Sequence, residues 1–174
     1  DPQPGTDFAD AVAVAGVLRE VLDEAGLVGW PKTSGGRGIH VICRIRPEWS
    51  FIDVRHAVIA IGRRVVERLP DRATVSWWKE ERGQRVFLDY NQAARDRTIA
   101  SAWSVRARPT ATVSMPVTWD DLADVDPEDF HVRSVPALLE RYGDPHEGMD
   151  ATVGGLETAL EWYAADERRG LGDL

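Results

Sequence analysis

Three short stretches hold the side chains that can do chemistry. Ser34-Gly35-Gly36-Arg37-Gly38-Ile39-His40 is a glycine-rich turn that carries a hydroxyl, a guanidinium and an imidazole into an apolar strand. Val86-Phe87-Leu88-Asp89-Tyr90-Asn91-Gln92 sets a carboxylate at the end of a second apolar run. Ser104-Val105-Arg106-Ala107-Arg108 adds two guanidinium groups at alternating positions. Glycines let backbone N–H groups approach a phosphate closely, and Ser34, Arg37 and His40 supply further donors. A carboxylate plus substrate phosphates is the usual way to hold magnesium. The three stretches together offer a metal-binding acid and a polyphosphate cradle, which is nucleotide chemistry.

Each stretch has a plainer reading. The glycine turn matches neither the P-loop spacing nor the dinucleotide fingerprint, and Gly and Ser often do no more than punctuate a surface turn. An acid ending an apolar strand is costly unless it meets a cation or donors, so Asp89 fits an ion pair with Arg95 or Arg97 as well as a metal. Arg106 and Arg108 point the same way if extended, and they make either a triphosphate receptor or a solvated loop. His56, His131 and His146 have no metal-ligand spacing and read as surface or helix-packing residues. Trp77-Trp78 offers rings for base stacking, but strand alternation is expected to put one in the core and one at the surface.

Charge is distributed unevenly. The net value is -8, yet Lys32 to Arg108 holds 16 basic and 8 acidic side chains, against 5 and 21 elsewhere. A basic middle with acidic ends gives one anion-attracting face, or merely charged helix surfaces. The single cysteine, Cys43, excludes disulfide frameworks and cysteine-rich zinc sites. No apolar run approaches a membrane span, and the 174 residues are one domain's worth of chain. The opening Asp1-Pro2 reads as the middle of something, so residues 1–174 are expected to be a fragment, or a domain excised from a longer polypeptide.

The elements that must position these groups follow from periodicity. Thr6 and Asp7 cap a helix from Phe8 to about Ala25, stopped by Gly26. Leu27–Trp30 reads as a short strand. Ile39–Ile45 is the clearest one, with Ile39, Val41, Cys43 and Ile45 on one face and His40 on the other. Ser50 with Asp53 opens a second helix that lasts until Pro70. A strand near Thr74–Trp78, a hairpin turn at Glu80–Gly83 and a return strand over Arg85–Tyr90 follow. Thr118 reads as a helix start; Pro136–Tyr142 and Leu156–Arg168 read as helices. This order predicts an α+β fold with helices on one sheet face, leaving the other face for His40 and Asp89.

As an ordered set the segments resemble the polymerase domain of bacterial DNA ligase D and its stand-alone relatives, members of the archaeo-eukaryotic primase superfamily. The resemblance rests on Ser34–His40, Phe87–Gln92, Arg97-Thr98-Ile99-Ala100, Ser104–Arg108, Thr112–Trp119, Gly143-Asp144-Pro145 and Arg169–Asp173. It implies that residues 1–174 are the larger, C-terminal portion of a primase-type palm whose N-terminal portion is missing here, with an antiparallel or mixed sheet like that of the RNA-recognition motif and flanking helices. It also implies template-directed addition of nucleotides to a primer 3′ end, in end joining or gap repair, with two divalent ions, Mn2+ or Mg2+. Asp1 and Asp89 match metal-binding aspartates of the family; Asp1-Pro2 matches the second acid of a D-x-D motif and its proline. Ser34, Arg37, His40, Arg106 and Arg108 would contact the triphosphate, and Gln92 would help position the nucleotide. Arg37 stands where many relatives carry Lys. The implied partners are primer-template DNA, ribo- or deoxynucleotides, and a ligase domain or end-binding repair proteins, in a bacterial cytoplasm at the nucleoid. Two alternatives stand beside this: a catalytically inactive nucleic-acid-binding module, and a primase that starts chains without a primer.

Overall fold

Asp7 and Ser50 start the two long helices in the same way. In the computed structural model, which describes residues 1–174, Asp7 accepts the N–H of Asp10 while Asp10 returns to the N–H of Asp7, opening α1 (Phe8–Glu24). Ser50 and Asp53 repeat the exchange at α2 (Phe51–Arg68). Each reciprocal cap satisfies two N–H groups that the helix cannot pair internally. Val14, Val21 and Leu22 of α1 meet Ala57, Ile61 and Val65 of α2 in the main core. The helix α5 (Glu157–Arg168) packs on α2. Its fully buried Asp166 takes Arg64 at 2.9 Å and Arg63 at 3.5 Å.

Strand β1 (Gly29–Thr33) begins and ends later than the sequence predicts, and it pairs antiparallel with β2 (Ile39–Cys43). The register sets Lys32 opposite His40 and Thr33 opposite Ile39. Beyond Cys43 the chain leaves the ladder, and Ile45 bridges to Gly154 instead.

The expected hairpin is absent. Strands β3 (Ala73–Thr74) and β4 (Val86–Phe87) are parallel, and Glu80–Gly83 belongs mostly to a one-turn helix, α3 (Lys79–Arg82). Parallel strands need a crossover rather than a tight turn. Arg82 holds that crossover: its buried guanidinium donates to the carbonyls of Ser76 and Trp77 and lies 3.5 Å from the centre of the Phe87 ring. Because the strand stops at Thr74, Trp77 and Trp78 are not alternated; both are exposed, at 42% and 64%.

After Arg97 the chain forms an irregular third layer of pairing. Thr33 N–H donates to Met115 O and Val117 N–H to Pro31 O, laying Val113–Val117 beside β1. The far side of that segment pairs with Trp103–Arg106 through Trp103 N–H to Ser114 O, Ser114 N–H to Ser104 O and Arg106 N–H to Thr112 O. Val113, Met115 and Val117 build a second core with Leu122, Phe130 and Val135. Thr118 does accept the N–H of Asp121, as a cap would, but only a turn follows. Trp119 is pinned by its indole N–H to Gly29 O at 2.7 Å, and the Asp-rich stretch beyond it has poor helix propensity. Helix α4 (Val135–Tyr142) and α5 lie where periodicity places them. The architecture is α+β, as expected, but the strands form two separate two-stranded sheets, so His40 of β2 and Asp89, which follows β4, do not share one sheet face. No helix is long and apolar enough to cross a membrane.

Candidate functional site

The glycine turn folds around its own serine. Ser34 Oγ accepts the N–H groups of Gly36 and Gly38, both at 3.1 Å, and Ser34 N–H donates to Gly38 O at 2.9 Å. These two glycine N–H groups are therefore spent inside the loop, whereas the Ser34 hydroxyl keeps its own proton for a ligand. A Cβ on Gly38 would stand 2.7 Å from Asp1 Oδ1, so this turn is pressed against the start of the chain. Asp1 in turn lies beside β4: its main-chain nitrogen donates to Phe87 O at 2.8 Å, and Phe87 N–H donates to Asp1 O at 2.9 Å. Arg37 ties the two together by donating to Pro2 O at 3.1 Å.

Arg106 and Arg108 reach the same place from a hairpin whose arms are the antiparallel Trp103–Arg106 and Thr112–Ser114 segments. Its turn needs Ala111 at φ 48 and is closed by Ala111 N–H to Arg108 O at 2.9 Å. Thr112 Oγ1 donates to Gly35 O at 2.7 Å, fastening the hairpin to the glycine turn. Gly35 has φ +66, and a side chain there would collide with Arg106 Cγ. Glycine is required for both reasons.

Asp89 Oδ1 accepts the N–H of Asn91 at 2.9 Å and Oδ2 accepts the Gln92 amide at 3.2 Å. Neither oxygen meets Arg95 or Arg97, so the ion-pair reading of Asp89 does not hold. The loop after Asp89 is braced by Arg55, which donates to Asn91 Oδ1 at 2.7 Å and lies 4.8 Å from the centre of the Tyr90 ring.

One cavity of about 710 Å³ collects all of these groups. Asp1, Asp89 and Gln92 line it, as do Ser34, Arg37, His40, Arg106 and Arg108. All eight residues singled out from the sequence are thus brought together. Its lining also has an apolar part that includes Val41 and Cys43 of β2, Leu88, and Ile61 of α2. No group of three or more His, Cys, Asp or Glu side chains gathers here or elsewhere. Asp1 and Asp89 are two hard carboxylates beside a cationic anion cradle, and magnesium is commonly held by one or two carboxylates plus phosphate oxygens. The donor set fits a divalent ion on that pattern.

The sequence reading missed Lys32. It is fully buried, and its Nζ contacts His40 Nδ1 at 2.8 Å and Ser114 Oγ. Burial, with Arg106 nearby, lowers its ammonium to about 8. Burial, followed by the Lys32 charge, pushes His40 down to about 4. His40 is therefore neutral at pH 7. A lysine amid Trp30-Pro31 and Thr33 was the available signal, because lysine is rarely buried without a reason. His56 of α2 stacks on Tyr163 of α5 at 4.0 Å, the helix-packing role expected of it, whereas His146 is buried and bonds Pro31 O of β1 at 2.8 Å, so it is neither a surface nor a helix-packing residue. His131 caps a turn by accepting the N–H groups of Arg133 and Ser134.

Residues 1–146 match the family model described as LigD, primase-polymerase domain. The chain belongs to that family. It is 30% identical over 151 residues to the multifunctional non-homologous end joining protein LigD of Mycobacterium bovis, covering 87% of this chain and 20% of that protein. The LigD of Pseudomonas aeruginosa is 28% identical over 163 residues, covering 92% of this chain and 19% of its own. The bifunctional LigD of Bacillus subtilis is 29% identical over 147 residues, covering 83% and 24%. Among solved structures, the polymerase domain of Mycobacterium tuberculosis Ligase D in complex with DNA superposes with a TM-score of 0.79 at 30% identity, over 87% of this chain and 53% of that one. The chain spans about a fifth to a quarter of the length of these LigD relatives. The α+β fold is therefore that of the LigD polymerase domain.

Proposed function

We propose that this domain serves DNA end joining as a primase-type polymerase, adding nucleotides to a primer 3′ end against a template. The observation that carries the reading is the convergence of eight residues, from segments as far apart in the chain as Asp1 and Arg108, on one cavity. The LigD family and a structural neighbour bound to DNA support it.

In this reading the triphosphate lies between the glycine turn and the arginine hairpin. Arg106, Arg108 and Arg37 neutralise its charge, and the guanidinium fork suits phosphate oxygens. Ser34 donates its hydroxyl proton, and His40, held neutral, donates one ring N–H. Gln92, already bonded to Asp89, keeps that carboxylate and the nucleotide in register. Asp1 and Asp89 would hold magnesium or manganese, which when bound supplies activation of the primer hydroxyl and charge stabilisation at the departing pyrophosphate. The protein's own share is positioning and electrostatics rather than covalent chemistry.

Primer extension on a gapped duplex, with ribo- or deoxynucleotides and each metal in turn, tests the proposal. Template-dependent lengthening of the primer is the expected result. DNA binding without any extension would replace this reading with a non-catalytic nucleic-acid-binding module. Products from an unprimed template would reassign the domain as a primer-independent primase.

A further inference from the structure

Lys32 sits next to the end of β1 with none of its surface exposed, and no carboxylate accompanies it. An unpaired buried ammonium is expensive. Its two acceptors are neutral: Ser114 Oγ and His40 Nδ1. The direction of both bonds follows from their surroundings. Ser114 spends its own proton on Thr33 O at 2.8 Å, so toward Lys32 its oxygen can only accept. An ammonium has three hydrogens and no lone pair, so His40 Nδ1 must accept as well. Lys32 keeps its charge at neutral pH because burial lowers it only to about 8.

The strand register makes this contact structural rather than incidental. Lys32 and His40 are directly opposed on β1 and β2, where cross-strand side chains are near neighbours. On its other side β1 is bonded to the Val113–Val117 segment, which delivers Ser114. Lys32 is therefore gripped from two flanks.

We infer that Lys32 is a positioning residue for the triphosphate: by donating to Nδ1 it holds His40 in the tautomer that carries its proton on Nε2, in the cavity that His40 lines. A neutral imidazole has one donor and one acceptor, and assigning the acceptor assigns the donor. Without Lys32 the ring is free to present a lone pair to a phosphate oxygen, which repels it. The tautomer stands on the Lys32–His40 contact and on a charged Lys32, whereas its purpose rests on the nucleotide reading above.

Two measurements separate these parts. Long-range 1H–15N spectra of the chain with 15N-labelled histidine report which His40 nitrogen carries the proton at pH 7. The expected wild-type pattern is protonated Nε2 and bare Nδ1, and Lys32→Met is expected to give two averaged nitrogens. A protonated Nδ1 in the wild type would overturn the inference without any variant, so it stays testable even if Lys32→Met fails to fold. Titration with a nucleoside triphosphate is the second arm, using Lys32→Met, His40→Ala and the double variant. Each single change is expected to weaken binding about tenfold, the size of one charge-assisted hydrogen bond, and the double variant is expected to be no worse than His40→Ala. Independent, multiplying losses would overturn the positioning role, because Lys32 would then act on the ligand by its own charge. A wild type with the expected tautomer that binds no triphosphate would sink the nucleotide reading and the purpose assigned to Lys32, while leaving the tautomer coupling in place.

Discussion

Arg106 lies across the α-carbon of Gly35 so closely that a methyl group there would overlap the arginine Cγ. The glycine turn is thus a seat for an arginine as much as a cradle for an anion. Its other neighbour at that point is the main-chain nitrogen of Ser114, 3.1 Å from the same would-be methyl, and a main-chain atom cannot step aside cheaply.

Gly35→Ala is therefore expected to destabilise the domain by about 1–3 kcal/mol, since left-handed backbone and overlap both oppose it. Gly26→Ala makes a control, because Gly26 has φ +72 but open space around its α-carbon. Urea midpoints should place the Gly35 variant clearly below the Gly26 variant. Equal losses would mean that backbone strain alone matters and that the seat is slack.

Asp89→Asn should fold normally, because the amide oxygen can still accept the Asn91 N–H. Nucleotide addition should fall by more than about 100-fold, as partners merely outside a metal's ligand shell already cost about 10–100-fold. Near-normal extension by a folded Asp89→Asn variant would reject its metal role.

Arg106→Ala should weaken nucleoside triphosphate binding about 10–100-fold, the value of a hydrogen bond between charged groups. Its effect on duplex DNA should be much smaller. Parallel titrations of the two ligands check this; matched losses would move Arg106 to a DNA-contacting role.

The depressed His40 makes stability depend on pH in a definite direction. The folded imidazole resists protonation until about 4, against 6.5 when unfolded. Between these values the unfolded chain binds more protons, so the contribution is complete above 6.5 and is lost as pH falls toward 4. Burial and the Lys32 and Arg106 charges act in this direction, and Asp89 opposes them. His40→Gln should flatten that part of the curve when denaturant midpoints are compared across the window. An unchanged slope would show that His40 is solvated.

What sequence reading captured here is mostly local. The Asp7 cap (without Thr6, whose hydroxyl donates to Gln3 O instead), the Ser50–Asp53 cap, the apolar stripes of α1 and α2, and the β2 alternation all act over a few residues, and each appeared within a residue or two of its expected place. The hairpin at Glu80–Gly83 failed because a charged turn signal cannot say whether the next strand returns parallel or antiparallel. Arg82, folded inward against Phe87 and two carbonyls, settled that. Trp77 and Trp78 failed for a related reason, since strand alternation was assumed beyond the point where the ladder stops.

The amino-acid order alone determined which groups would be available: a serine, two carboxylates, three arginines, a histidine and a glutamine, in an order that resembles one family. Tertiary structure decided where they stand relative to one another. It curled Arg106 back over Gly35 through pairing of Trp103–Arg106 with Thr112–Ser114, brought Asp1 beside Phe87, and buried Lys32 against His40. The division has a physical cause. Caps and periodic stripes are set by neighbours along the chain, whereas strand register and a buried ammonium are set by contacts between segments that meet only after collapse.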